Sequence, residues 1–118
     1  MDNLSKVKPT SSGKSKIEFD LPTIYSLKEF GVISFPPEDR KFFPGYKVPF
    51  TLETDIGEIE TWIASGTKFS QVGDPNEGKY FSKGLKPWVR HHSTALRDGT
   101  TIIIERVSTG RYRLTFKP

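Results

Sequence analysis

The stretch FTLETDIGEIETWI, Phe50 to Ile63, decides how the chain is read. Apolar and polar side chains alternate along it, the period of a strand with one buried face, and the alternation continues past a tight turn at Ile56-Gly57. Phe50, Leu52 and Thr54 then share a face with Ile59, Thr61 and Ile63, which predicts a β-hairpin. The opposite face collects Glu53, Asp55, Glu58 and Glu60, with Trp62 beside them. Paired carboxylates hold magnesium and transfer protons, so a nuclease is one reading of this face. The lysine that such a site carries just beyond its second carboxylate is missing, because Glu58 is followed by Ile59 and Glu60. The solvated side of an amphipathic hairpin is the simpler account.

Working outward, TTIIIERV and RYRLTF flank a turn at Thr109-Gly110 and predict a second hairpin. GVISF is a strand ended by Pro36-Pro37, and Tyr80-Phe81 is another. PPEDRKFF suits a short helix: Pro37 fits the first helical position, Glu38 and Asp39 the positive end of the dipole, and Arg40 and Lys41 the negative end. DLPTIYSLKEFG is ambiguous. Asp20 as a cap, Pro22 in the first turn and Gly31 as a stop would make a helix, whereas Ile24, Tyr25 and Leu27 would suit an edge strand.

GKYFSKGLKPWVRHH, Gly78 to His92, looks at first like a nucleic-acid-reading helix, with Lys79, Lys83, Lys86 and Arg90 among Tyr80, Phe81 and Trp88. Helical spacing instead gathers Leu85, Trp88, Val89 and His92 into one inward stripe and leaves the cations in solvent. The structural reading is preferred: Trp88 closes the core. Strands dominate the order of elements, which predicts a mainly β fold, an antiparallel barrel plugged by small helices.

A chain of 118 residues supports one core. Lys6, Lys8, Lys14 and Lys16 against Asp2 place +3 of the +4 net charge in the first sixteen residues. Residues 1–16 are therefore expected to be a disordered basic tail, and 17–118 the folded domain. The absence of cysteine excludes disulfides and thiolate metal sites. The longest aliphatic run, Ile102 to Ile104, is far short of a membrane span, and no signal-peptide core precedes it, so the expectation is a soluble intracellular protein with no membrane partner. His91 and His92, side by side on a helix, would point about 100° apart and so would not share an ion. Neither a Gly-x-Ser-x-Gly elbow nor a phosphate loop occurs. No catalytic residue, metal or cofactor is expected, and the chain is not read as an enzyme.

Between the hairpin and Tyr80 lies ASGTKFSQVGDPNEG, too long for a simple connection. Ser65, Thr67, Lys68, Ser70, Gln71, Asn76 and Lys79 offer amides that suit adenine and ammonium groups that suit guanine or phosphate. The same composition suits an ordinary loop. A separate possibility is a non-enzymatic barrel that binds a peptide or glycan on an exposed Trp62.

The order of motifs from Gly31 onward resembles the DNA-binding pseudobarrel family, which includes plant B3 domains and the B3-like recognition domains of some restriction endonucleases. GVISFPPEDRKFFP is similar to that family's strand, short helix and Phe-Pro. FTLETDIGEIETWI is similar to its acidic-Gly-hydrophobic hairpin, GKYFSKGLKPWVRHH to its Lys-Gly aromatic helix, and LRDGTTIIIE to its basic-Gly strand entry. Where the family has Gly-Asp, this chain has Gly99-Thr100, and its first arm is less basic than in the plant proteins. The resemblance implies an open seven-stranded antiparallel pseudobarrel with two short helices, seated in the major groove by two arms. The second arm maps onto Ser65 to Lys79, and the first onto Tyr25 to Phe30, with Lys28 its only cation. It implies a sequence-selective double-stranded DNA-binding domain, free-standing or joined to a catalytic domain in a restriction or regulatory protein. Lys28, Lys68 and Lys79 would anchor phosphates, Gln71 and Asn76 would contact bases, and Ser65 and Ser70 would complete the site.

Overall fold

The computed structural model describes residues 14–65 and 71–118. Strand β1 (Lys16–Asp20) buries Ile17 and Phe19 and exposes the charged residues between them. It is followed by α1 (Tyr25–Phe30), β2 (Ile33–Ser34), a 3-10 helix (Pro37–Phe42), β3 (Phe50–Thr54), β4 (Gly57–Thr61), β5 (Tyr80–Phe81), α2 (Lys86–His91), β6 (Thr101–Ser108) and β7 (Arg111–Lys117). Five strands form one sheet in the order β1-β6-β7-β3-β4, while β2 and β5 pair separately.

The two hairpins form where alternation placed them, with Leu52 opposite Ile59 and Ile104 opposite Leu114. The first turn falls one residue earlier than expected. Thr54 pairs with Gly57, so Asp55 and Ile56 make the turn, and the Thr54 hydroxyl binds both the Gly57 carbonyl and the Ile56 amide. The ambiguous segment resolves as helix α1, ended by Gly31 in the left-handed region at φ 67°. Its start is not held by Asp20, whose carboxylate ends β1 and accepts the Thr101 hydroxyl at 2.6 Å. Instead Asp98 reaches across 74 residues and accepts the Ile24 amide at 2.8 Å, and Thr100 is buried with its hydroxyl on the Arg97 amide. Asp98 thus supplies a structural carboxylate beside Gly99-Thr100.

Three features depart from the antiparallel barrel with two helices. β3 and β7 run parallel, with Leu52 opposite Tyr112, so the large sheet is mixed. Among the described residues the seven strands divide into a sheet of five and a separate pair rather than one continuous sheet. The described residues contain three short helices, because the ambiguous segment adds α1 to the two expected at Pro37–Phe42 and Lys86–His91. Alternation identifies a strand and its buried face but carries no information about which strand lies on its other edge, or in which direction.

The inner face of the large sheet contributes Ile17, Phe19, Phe50, Leu52, Ile102, Ile104, Tyr112 and Leu114 to the core. Phe42 and Phe43, at the end of the 3-10 helix, wedge between this face and the small sheet. Phe43 lies 5.6 Å from both Phe81 and Tyr112 between ring centroids, and 4.9 Å from Phe35. Such edge-on and tilted aromatic packing adds to the burial of area. α2 closes the other end: Leu85, Trp88 and Val89 are buried as the helical stripe requires, and Trp88 meets Phe116 edge to face at 5.6 Å.

Two substitutions test this packing by chemical denaturation. Trp88→Ala removes a side chain 1 % exposed and should lower stability by about 3–5 kcal/mol. Thr61 is fully buried on the inner face, and its hydroxyl has no hydrogen-bond partner among the described residues. A near-isosteric Thr61→Val should therefore raise stability, by about 1 kcal/mol.

Candidate nucleic-acid interface

The segment from Gln71 to Lys79 is held by one side chain. Arg40, read from sequence only as a cation suited to the negative end of a short helix, is 6 % exposed. Its Nε donates to the Glu77 carbonyl at 2.6 Å, Nη1 to the Pro44 carbonyl at 3.0 Å and Nη2 to the Asp74 carbonyl at 3.1 Å. The planar fork of donors allows one guanidinium to reach three carbonyls at once and so tie the turn at Pro44 to the docked segment at two points. Burial lowers its pKa from the usual value, while the carboxylates of Asp74 and Glu77 act in the opposite sense.

Backbone bonds complete the attachment: the Tyr46 amide donates to the Asp74 carbonyl, and the Gly73 amide to the Tyr46 carbonyl. Two glycines make this approach possible. A Cβ on Gly45 would lie 2.3 Å from the Gly73 carbonyl oxygen, and one on Gly78, at φ 118°, would lie 2.1 Å from Ile63 Cγ2. Ala64 bridges to Tyr80, and the Ser65 hydroxyl donates to the Glu77 carboxylate at 2.7 Å, so the two ends of the connection are stitched to each other.

The predicted contact residues fall in different places. Asn76 is exposed on an Asx turn, its amide bonded to the Asp74 carboxylate at 2.8 Å. Its side chain lines a concavity of about 380 Å³ shared with Lys14, Arg40, Lys41, Glu38 and Pro37. Gln71 and Lys79 are exposed at the two ends of the docked segment, and Lys79 makes no ion pair among the described residues. Ser65 serves the loop's own closure. Lys28 stands on α1, which packs against α2 rather than on the docked loop. Lys68 and Ser70, with Thr67, lie outside the described residues.

Sequence reasoning missed Arg40 and Lys41, because the partners that matter to Arg40 are carbonyls 34 and 37 residues away that no local pattern marks. Lys14, assigned to the tail, is also part of this region, with its ammonium 2.8 Å from the buried Asp39 carboxylate; that hydrogen bond raises its pKa.

The hairpin carboxylates have a structural explanation. Arg111 binds Glu53 at 3.0 Å and also Glu58, and Arg113 binds Glu53 at 3.1 Å and Glu105 at 3.5 Å. They form a cross-strand ladder of alternating charge over the outer face of β4, β3, β7 and β6. Trp62 is half-buried rather than exposed, with the Lys83 ammonium over its ring at 5.2 Å. Among the described residues, no helix is long and apolar enough to cross a membrane.

No protein-family profile matches the chain, and no curated protein matches it. Among solved structures, a hypothetical protein of Arabidopsis thaliana is similar, with a TM-score of 0.51 at 16 % identity over 86 % of this chain and 89 % of that one. At that identity the likeness concerns the fold alone.

Replacing Arg40 should release the docked loop. Arg40→Ala leaves three carbonyls without their donor and should cost about 3 kcal/mol, with faster deuterium exchange at the Tyr46 and Gly73 amides. Arg40→Lys should recover little of this protection, because a single ammonium does not span the three carbonyls.

Proposed function

We propose that this chain is a non-enzymatic, sequence-selective DNA-binding domain of the B3-like pseudobarrel kind, and that the loop from Ser65 to Lys79 reads the duplex. The observation that carries this reading is the concavity where Asn76 meets Lys14, Arg40 and Lys41, three cations against the lining carboxylate of Glu38 and the Asp39 carboxylate that pairs with Lys14. An amide able to form a bidentate bond to adenine stands there at the rim of a cationic hollow. That combination joins base readout to phosphate attraction.

The mixed five-stranded sheet and the separate β2–β5 pair are compatible with an open pseudobarrel whose rim carries the loop. Rigidity supports the same reading. Contact residues held within a small tolerance lose less entropy on binding, and Arg40 holds Asn76 by way of Asp74 and Glu77. In this proposal Asn76 and Gln71 contact bases, while Lys41, Lys68, Lys79 and Lys28 neutralise phosphates. The partner is double-stranded DNA, with catalysis, where it occurs, left to an attached or associated domain.

Selection from a random duplex library should yield a preferred site, and retention should fall with salt at a slope near −4 for about four phosphates neutralised. Asn76→Ala and Gln71→Ala should flatten the site preference. Lys79→Ala should weaken all duplexes alike and reduce the slope by about one. Absence of retention at low salt would defeat the proposal.

A further inference from the structure

The two histidines do not diverge as a regular helix would make them. His91 is the last residue of α2, and His92 leaves the helix at φ −107°, ψ 16°. Their rings stand edge to face with centroids 4.8 Å apart. Asp55, in the turn of the first hairpin, completes a group: one ligand atom from each of Asp55, His91 and His92 lies within 4.8 Å of the others. The chain has no cysteine and only these two histidines, so all of its imidazole capacity is gathered here.

We infer that Asp55, His91 and His92 form a binding site for a divalent transition-metal ion of the zinc class. Two imidazoles and one carboxylate suit zinc, nickel or copper, whereas magnesium and calcium require mostly oxygen donors. The distances are within reach. His92 Nε2 lies 3.0 Å and 2.9 Å from the two carboxylate oxygens of Asp55. Donors about 2.1 Å from a tetrahedral zinc ion are about 3.4 Å apart, so this pair has only to open by a few tenths of an ångström. The exposed His91 ring moves in by about 1 Å.

His92 is preorganised. Trp88 and Phe116 flank its ring edge to face at 5.2 Å and 5.0 Å, and its side chain is 19 % exposed. The same residues line a pocket of about 190 Å³ with Asp55, Leu114 and Thr115, which leaves the fourth coordination position to water. A bound ion ties the β3–β4 turn to the end of α2, two elements 37 residues apart in sequence. This inference is independent of the DNA reading.

The test uses the untagged full chain with zinc sulfate, nickel chloride or magnesium chloride, followed by calorimetric titration and thermal unfolding. Zinc and nickel should bind one ion per chain, and a hundredfold excess over Kd should raise Tm by roughly 10 °C. Magnesium should not raise it. Both histidine spin systems should shift in imidazole NMR spectra. Asp55→Asn and His91→Gln alter exposed side chains, so both variants should fold, and each should weaken zinc binding about tenfold or more. No binding, a stoichiometry other than one, wild-type affinity in either variant, or an equal response to magnesium would overturn the inference.

Discussion

A buried guanidinium sets the geometry of this protein. Among the described residues no carboxylate pairs directly with Arg40; its charge is met by backbone carbonyls from Pro44, Asp74 and Glu77. A buried cation is tolerated only when its donors are satisfied, so these segments must converge wherever the side chain is. That requirement fixes the return of the chain after β4, brings Gly45 against Gly73 with no room for a side chain, and leaves Asn76 on the rim rather than in the interior. The aromatic wedge depends on it too, because Phe42 and Phe43 directly follow the turn that presents Arg40.

Much of the fold could be read from periodicity. The inward choice of Leu52, Ile104 and Leu114 follows from a period of two, and that of Leu85, Trp88 and Val89 from a helical period, because burial acts locally on each face. What periodicity does not encode is partnership at long range. Nothing in LETD or RYRL announces that Leu52 and Tyr112 lie side by side in parallel strands. Nothing near Asp98 announces that it binds the amide of Ile24.

The candidate site was legible to the same degree. Composition singled out the loop, and Asn76, Gln71 and Lys79 do lie exposed on it. The Ser65 hydroxyl donates to Glu77, a partner that composition does not mark, because a hydroxyl that suits a base edge equally suits a carboxylate. The basic helix around Trp88 attracted notice for its charge, yet a charge on a helix surface says little about ligands. Lys83 lies over Trp62, while Glu53 and Glu58 of the acidic hairpin are bound by Arg111 and Arg113. The pairing of His91 and His92 with Asp55 was hidden for another reason: ideal helical angles do not apply to a residue that ends the helix.

The pairing of β1 with β6 has a further meaning for the way the molecule is made. Phe19 waits for Ile102, so β1 stays unmatched until β6 has been made, whereas Leu52 finds Ile59 in its own hairpin at once and only its second edge waits for Tyr112. Closure over such separations is slow compared with helical folding. Until β6 arrives, Ile17 and Phe19 have no strand partner and their apolar side chains lack the sheet that buries them.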